Sequence, residues 1–413
     1  MIRFPKTVLA VMLLAMASAS TAQDTLRMMT YNILNFSGSS SDRIDELRMI
    51  MRNVQPDLVV NQEVIDQAAV NNILAQVFRQ MDPDWEAASF VNGPDTDNAC
   101  FYLSSRLTLV SQRQIATPLR DFSEYVFSNA AMGGEQFRMY SGHLKASSGS
   151  DNEQRRLAEA EVLRGELDDL PAGSMFMFCG DFNLYSSFEP AYQLLLGLGD
   201  NPNGRLLDPI NRPGAWNNSV SFAEIHTQSP RTASFGGGAT GGMDDRFDFI
   251  LASAAWMDTT GSYVIPSTYH TVGNDGLHFN QAINDGTNQA VPDSVADALH
   301  DCADHLPVAV DVVLRSSGTP VSPTVPIVVS PVLMHCYPNP FNSQIAIELS
   351  PSPFAGQLRV FDVLGRTVNM TPIGAEMGTR TLQLDFSGQT SGAYFVMLHR
   401  GSDSAVTKII LQK

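Results

Sequence analysis

The sequence predicts an α/β domain built as two β-sheets packed face to face, followed by a small antiparallel β-sandwich. A helix–strand–acid unit occurs twice, over residues 41–63 and again over 153–181. Apolar β runs within residues 24–315 repeatedly end in polar side chains, as strands of open α/β sheets do at their sites. A proline- and serine-punctuated stretch, residues 316–331, then leads into short alternating strands. The expected order is a leader (1–22), an α/β domain (24–315), a linker (316–331) and a β-module (332–413).

Composition narrows the function classes. With 413 residues the chain has room for two or three domains, and a 44% apolar share suits packed cores rather than disorder. The formal charge of −17 repels polyanions unless a site is locally basic or carries a cation. That argues against a general nucleic-acid scaffold, not against an enzyme bringing a divalent cation to a phosphate ester. Arg3 and Lys6 precede the apolar run Val8–Met16 and the small residues Ala17–Ala22, the order of a secretory signal cleaved after Ala22. No later stretch is long and apolar enough to span a bilayer as a helix. Four cysteines are too few for a disulfide scaffold in a chain of this length; Cys179 reads as a core thiol, and a Cys100–Cys302 bridge is open.

Along the chain, Leu26–Ile33 reads as the first strand, ending near Asn32. The next helix is capped by Ser41 or Asp42, with Ile44, Leu47, Ile50, Met51 and Val54 on one face, and Pro56 stops it. Leu58–Val60 is a buried strand running out at Glu63. Residues 99–103, 107–111 and 136–144 read as further strands, the last bringing His143 and Lys145 to one strand end. Glu153–Leu170 is amphipathic, and Met175–Cys179 is a buried strand breaking at Gly180 into Asp181 and Asn183. If strand geometry persists there, those two side chains point the same way. The cluster Phe235–Gly242 reads as a solvated connector in preference to a substrate loop, and residues 255–300 as a long polar insert. Arg246 and Asp248 share a strand face, and Asp304-His305 opens the strand through Val308, Val310 and Val312.

Together, Asn32, Glu63, His143, Asp181, Asn183, Asp248, Asp304 and His305 follow or open apolar β runs of one domain. Oxygen-rich side chains converging at strand ends suit Mg²⁺, and two imidazoles nearby suit proton transfer.

The motifs Thr30-Tyr31-Asn32, Asn61-Gln62-Glu63, Ser141-Gly-His143-Leu-Lys145, Gly180-Asp-Phe-Asn183, Arg246-Phe-Asp248 and Ala303-Asp304-His305-Leu-Pro-Val resemble, in order, those of the endonuclease/exonuclease/phosphatase (DNase I-like) superfamily. The resemblance implies a four-layer α/β sandwich and metal-dependent hydrolysis of phosphate esters. It makes Glu63 the principal metal ligand with Asn32 and Asp304, the ion being Mg²⁺, with Mn²⁺ or Ca²⁺ as alternatives. It has Asp181 and Asn183 orient the attacking water, Asp248 pair with His305, and His143 protonate the leaving oxygen or hydrogen-bond the phosphate. The DNase branch also implies a carboxylate beside the first histidine, for which Asp97 is the nearest candidate. In the tail, Cys336-Tyr-Pro-Asn-Pro-Phe-Asn342, Val360–Arg366, Ser391-Gly-Ala-Tyr-Phe-Val and Lys408–Lys413 resemble the C-terminal sorting domain of type IX secretion.

The expected protein is a secreted or surface-attached monomer that cleaves phosphodiesters, DNA first, and engages the type IX machinery as a partner. Phosphatase or sphingomyelinase-like action on lipid or inositol headgroups is the alternative, and a non-catalytic binding protein the out-of-class one. Lys145, Arg155, Arg156 and Arg246 are candidate phosphate contacts.

Overall fold

The computed structural model describes residues 23–197, 201–316, 334–349, 355–362, 366–375, 379–400 and 403–413. The expected leader, and the expected linker beyond residue 316, fall outside these. Two compact units divide between Pro320 and Val321.

The first unit holds two sheets. In one, β1 (Gln23–Phe36) lies parallel to β2 (Leu58–Val64), and β2 is flanked by antiparallel β4 (Asp97–Leu103) with β3 (Trp85–Ala87) beyond it. On the other side of β1 stands antiparallel β13 (Val308–Arg315), carrying β11 (Tyr263–Val264) and β12 (His270–Thr271). The second sheet repeats this core. Here β7 (Gln136–His143) lies parallel to β8 (Met175–Asp181), with β6 (Phe122–Ser128) antiparallel to β7 and β10 (Asp248–Ser253) antiparallel to β8. Strands β5 (Thr108–Ile115) and β9 (Leu206–Leu207) form its edges.

Each parallel pair is joined through a helix. Between β1 and β2 runs α1 (Ile44–Val54), which buries Ile44, Leu47, Ile50, Met51 and Val54 as its spacing predicts. It starts differently from expectation: a 3₁₀ turn, Ser41–Arg43, precedes it, and neither Ser41 nor Asp42 caps it. Between β7 and β8 runs α3 (Ser150–Asp168), with α4 (Pro190–Leu196) on the same side; α2 (Gln67–Gln76) and α5 (Asp293–Cys302) join α1. Apolar side chains form three strata. One lies under α1, α2 and α5, one between the sheets (Met28, Val60, Val310 against Phe127, Met177, Ile250), and one under α3 and α4. This is a four-layer α/β/β/α sandwich.

The four cysteines are free and buried. Cys100 faces the inter-sheet core while Cys302 sits in the outer core under α5, so β-sheet stands between them and the Cys100–Cys302 pairing is not formed. The insert 255–300 is not plain loop, since it contributes β11, β12 and α5.

In the second unit, β14 (Met334–Tyr337), β15 (Gln344–Leu349) and β18 (Arg380–Asp385) form one antiparallel sheet. A second comprises β16 (Gly356–Asp362), β17 (Thr367–Ile373), β19 (Gly392–Arg400) and β20 (Asp403–Leu411). Both share one core, including Ile345, Ile347, Leu358, Val360, Val396 and Ile409.

Candidate functional site

Because β10 and β13 run antiparallel to β8 and β1, their starts lie beside the ends of those strands. Asn32, Glu63, His143, Asp181, Asp248, Asp304 and His305 therefore gather at one rim of the sandwich. His143 and Asp181 are register partners across β7 and β8, and Asp248 pairs with Asp181 across β8 and β10. Two glycines permit this approach. Gly142 faces Gly180, and a Cβ at Gly180 (φ +143°) would stand 1.9 Å from the Gly142 carbonyl oxygen.

Glu63 reaches the rim through a backbone irregularity. It adopts φ +60°, where β2 shifts register against β4 between Asn61 and Val64. Its carboxylate accepts from Asn32 Nδ2 (3.1 Å) and from the Asn35 backbone N–H (3.0 Å). Asn32 Nδ2 also donates to Asp181 Oδ2 at 3.0 Å, while its Oδ1 accepts from the Leu34 N–H at 3.0 Å. The amide thus turns its nitrogen to the carboxylates and its oxygen to the Leu34 N–H. Asn32 thereby links Glu63 and Asp181.

Among the described residues, Glu63, His143 and Asp181 form the group whose ligand atoms all lie within 4.8 Å of one another. Asp304 lines the same cleft but stands outside that group. Its Oδ2 accepts from the Ala239 N–H at 2.6 Å, and Gly238 (φ +78°) packs on its carboxyl so closely that a Cβ would fall 2.6 Å away. The glycine cluster meets the cleft through Ala239 and is fastened by Asp304 and by Arg231, which donates to the Phe235 carbonyl at 2.8 Å. The stretch is solvent-exposed over residues 235–238 and 240–241, as its composition suggested, and touches the cleft at Ala239.

His305 Nδ1 lies 2.7 Å from Asp248 Oδ2, and its Nε2 lies 3.5 Å from Asp181 Oδ2 and 2.6 Å from the Gln228 side-chain amide. Burial opposes charge on this imidazole, but Asp248 and Asp181 overcome it and hold the group well above its ordinary value. The Gln228 atom facing His305 Nε2 is its own Nε2. His143 is driven the other way, well below its ordinary value, by burial first and then by Arg120, His305 and Lys145. Its Nδ1 has no hydrogen-bond partner, and its Nε2 lies 3.4 Å from Asp181 Oδ2. Burial pushes Asp181 up to about 7, with Asp248 and Glu63 adding to the rise and His305 and Asn32 opposing it. One histidine is charged and the other neutral within a single cleft, which separates a proton holder from a ligand or acceptor.

Asn183 follows Asp181 through a turn (φ +50°), not along a continued strand. Its backbone N–H donates to Asp181 Oδ1 at 3.1 Å, and both residues line the cleft of about 280 Å³. Asp97 does not partner His143; its Oδ1 accepts from the Gly93 N–H at 2.8 Å. Sequence reasoning also missed Gln228 and Arg120. Arg120 lies on the cleft wall, with Nε 2.9 Å from Asp95 Oδ2 and a buried Nη1 lacking any hydrogen-bond partner. Neither belongs to a strand, so no periodicity marked them.

Of the four candidate phosphate contacts, two are consumed by structure. Arg156 is buried on Glu189 (2.8 Å), and Arg246 on Asp208 (2.7 Å). Lys145 and Arg155 remain at the surface. Another cleft, about 620 Å³, opens at the other end of β7 and β8, near Glu135, Met175 and Thr260, and contains none of the rim residues.

The residues at the rim fit a divalent cation: two carboxylates and a neutral imidazole converge, with one imidazole nitrogen unpartnered. Divalent metals are general in the family that the comparisons identify. Residues 29–270 match the model of the Endonuclease/Exonuclease/phosphatase family, and residues 335–412 that of the secretion system C-terminal sorting domain. No curated protein matches the chain. Among solved structures, D. rerio TDP2 complexed with single strand DNA product is 16% identical, over 70% of this chain and 98% of that chain, at a TM-score of 0.46. An endonuclease/exonuclease/phosphatase family protein from Bacteroides thetaiotaomicron is 15% identical, over 71% and 99%, at 0.45. The human Nocturnin catalytic domain with bound sulfate anion is 18% identical, over 70% and 97%, at 0.44. No helix among the described residues is long and apolar enough to cross a membrane, and the sorting domain marks the chain for secretion or surface attachment. The chain belongs to the endonuclease/exonuclease/phosphatase family of phosphoester hydrolases, with a type IX sorting domain at its C-terminal end.

Proposed function

We propose that the protein is a secreted, Mg²⁺-dependent nuclease that hydrolyses phosphodiesters, extracellular DNA first. The observation that carries this reading is the convergence of Glu63, His143 and Asp181 beside the Asp248–His305 pair. A cation held by Glu63, Asp181 and His143 would neutralise phosphoryl charge and acidify a water.

The chain's own residues supply the rest. Asp248 fixes the orientation of His305 and favours its charged form, which with Gln228 and Asp181 beside Nε2 would place positive charge on the cleft wall where phosphoryl oxygens gain charge. Asp181 accepts hydrogen bonds from Asn32 and the Asn183 N–H, and is therefore held in one place for the attacking water. The unpartnered Nη1 of Arg120, on the cleft wall, would donate to a second phosphate oxygen. Asp304 and Arg231 hold the glycine-rich stretch in place, with Ala239 on one side of the cleft.

Plasmid DNA, sphingomyelin vesicles and inositol phosphates, each with Mg²⁺ or EDTA, test the reading. Mg²⁺-dependent nicking of DNA is expected. Turnover confined to lipid or inositol headgroups would replace nuclease with the alternative activity, and inertness on every ester would leave a binding protein.

A further inference from the structure

A second groove adjoins the catalytic cleft. It measures about 210 Å³ and lies between the loop Pro118-Leu119 and the α3 residues Arg155, Ala158 and Glu159, with Lys145 at its end. The two recesses share consecutive residues on both walls. Leu119 lines the groove and Arg120 the cleft; Lys145 lines the groove and Ala146 the cleft.

The charge pattern of this groove departs from the rest of the molecule. Lys145 is the sole lysine of residues 24–315 in a chain of charge −17. Its ammonium donates to the Ala146 carbonyl at 2.8 Å and, among the described residues, meets no carboxylate. Arg155 is exposed and likewise pairs with no carboxylate among the described residues, although most arginines of this unit are tied to an acid or to backbone carbonyls. The one acid of the groove, Glu159, is buried and accepts from the Lys145 backbone N–H at 2.9 Å. Between the cations the lining is apolar: Pro118, Leu119 and Ala158. An apolar floor with a cationic rim suits a flat base with its phosphate.

We propose that this groove seats the nucleotide next to the scissile phosphodiester of a polynucleotide strand. The strand would cross from the rim of Glu63 and Asp181, past Arg120, onto Lys145 and Arg155. This assignment rests on the phosphodiesterase reading for the position of the scissile bond. It goes further by fixing the substrate as a polymer and the direction in which it leaves the cleft.

The test uses the full chain, Arg155→Glu and Leu119→Asp, both at positions outside the catalytic rim, with thermal melts to confirm folding. Fluorescence polarisation with a labelled 20-nucleotide single-stranded DNA, in EDTA, reads binding without turnover. Arg155→Glu is expected to weaken binding about 3- to 10-fold and to reduce the salt slope by about 0.7, one phosphate contact on a single strand. KM for the same strand in Mg²⁺ should rise in parallel, while hydrolysis of bis(p-nitrophenyl) phosphate, too small to reach the groove, stays unchanged. Binding and salt slope unaltered in both variants would overturn the groove assignment even if DNA is cleaved. Arg155-dependent binding without cleavage of any ester would uphold the groove and remove the hydrolase reading. A wild-type chain that does not bind the strand, or an Arg155 effect confined to sphingomyelin vesicles, would also overturn it.

Discussion

Asp248 Oδ2 lies 2.7 Å from His305 Nδ1, and Asp248 is itself fully buried at the first residue of β10. The pair holds an imidazolium inside the protein, and the second nitrogen of that ring is what the cleft sees.

Asp248→Asn should lower kcat by roughly 10²–10⁴-fold with little change in KM, because the ring loses both its orientation and its charge. The stability effect has a defined sign. A histidine raised by its partner contributes stability that is fully present below the ordinary value of about 6.5 and lost as pH rises through the raised one. Melting of wild type and Asp248→Asn should therefore differ most near pH 6 and converge at high pH. Equal gaps at both would remove the charged pair from the account.

Asp181 is raised as well, and its contribution to stability runs in the same direction with pH. Burial pushes it up to about 7, so the metal-free folded chain keeps a proton that the unfolded chain releases near pH 4. Stability in EDTA should fall as pH rises from about 4 to 7 and then level off, by an amount on the order of a few kcal/mol. Asp181→Asn should melt higher than wild type at pH 8 in EDTA and be inactive. Added Mg²⁺ should raise the wild-type melting temperature more at pH 8 than at pH 5.5, since a protonated carboxyl is a poor ligand.

Beneath the rim a hydrogen-bond chain crosses the two sheets. Thr30 Oγ1 donates to Gln62 Oε1 (3.2 Å), Gln62 Nε2 to Ser141 Oγ (2.9 Å), and Ser141 Oγ to Asn98 Oδ1 (2.9 Å). All four side chains are buried. Gln62→Leu leaves Ser141 and Thr30 short of partners and should cost about 1–3 kcal/mol, read by chemical denaturation.

Gly180→Ala should be worse. The added methyl meets a backbone oxygen and a backbone angle unfavourable to L-residues, so destabilisation of at least about 3 kcal/mol is expected. Urea midpoints measure it, and any folded remainder should bind Mg²⁺ weakly because His143 and Asp181 are forced apart.

The sheet plan and rim were legible wherever periodicity and strand ends coincide. Ile44 to Val54 gave the helix between β1 and β2, and Met175 to Cys179 the strand before Asp181. Strand β6 was not legible, because Glu124 interrupts its apolar pattern. That carboxylate is buried against Tyr140 (2.7 Å), Arg138 (3.1 Å) and Arg113, partners outside its own strand. Asn32 stands at the rim as its place at the end of the first strand suggested, but its links to Glu63 and Asp181 were not legible. Arg120, Gln228 and Ala239 depend on how loops return to the rim, and spacing carries no record of that.

The four unpaired thiols bear on how an exported protein ages. Each is sealed in a core, so oxidants and alkylating reagents reach it only when that core opens. Once heated open in air, the chain can form bridges that the native packing forbids, and recovery of activity on cooling should depend on whether a reductant was present.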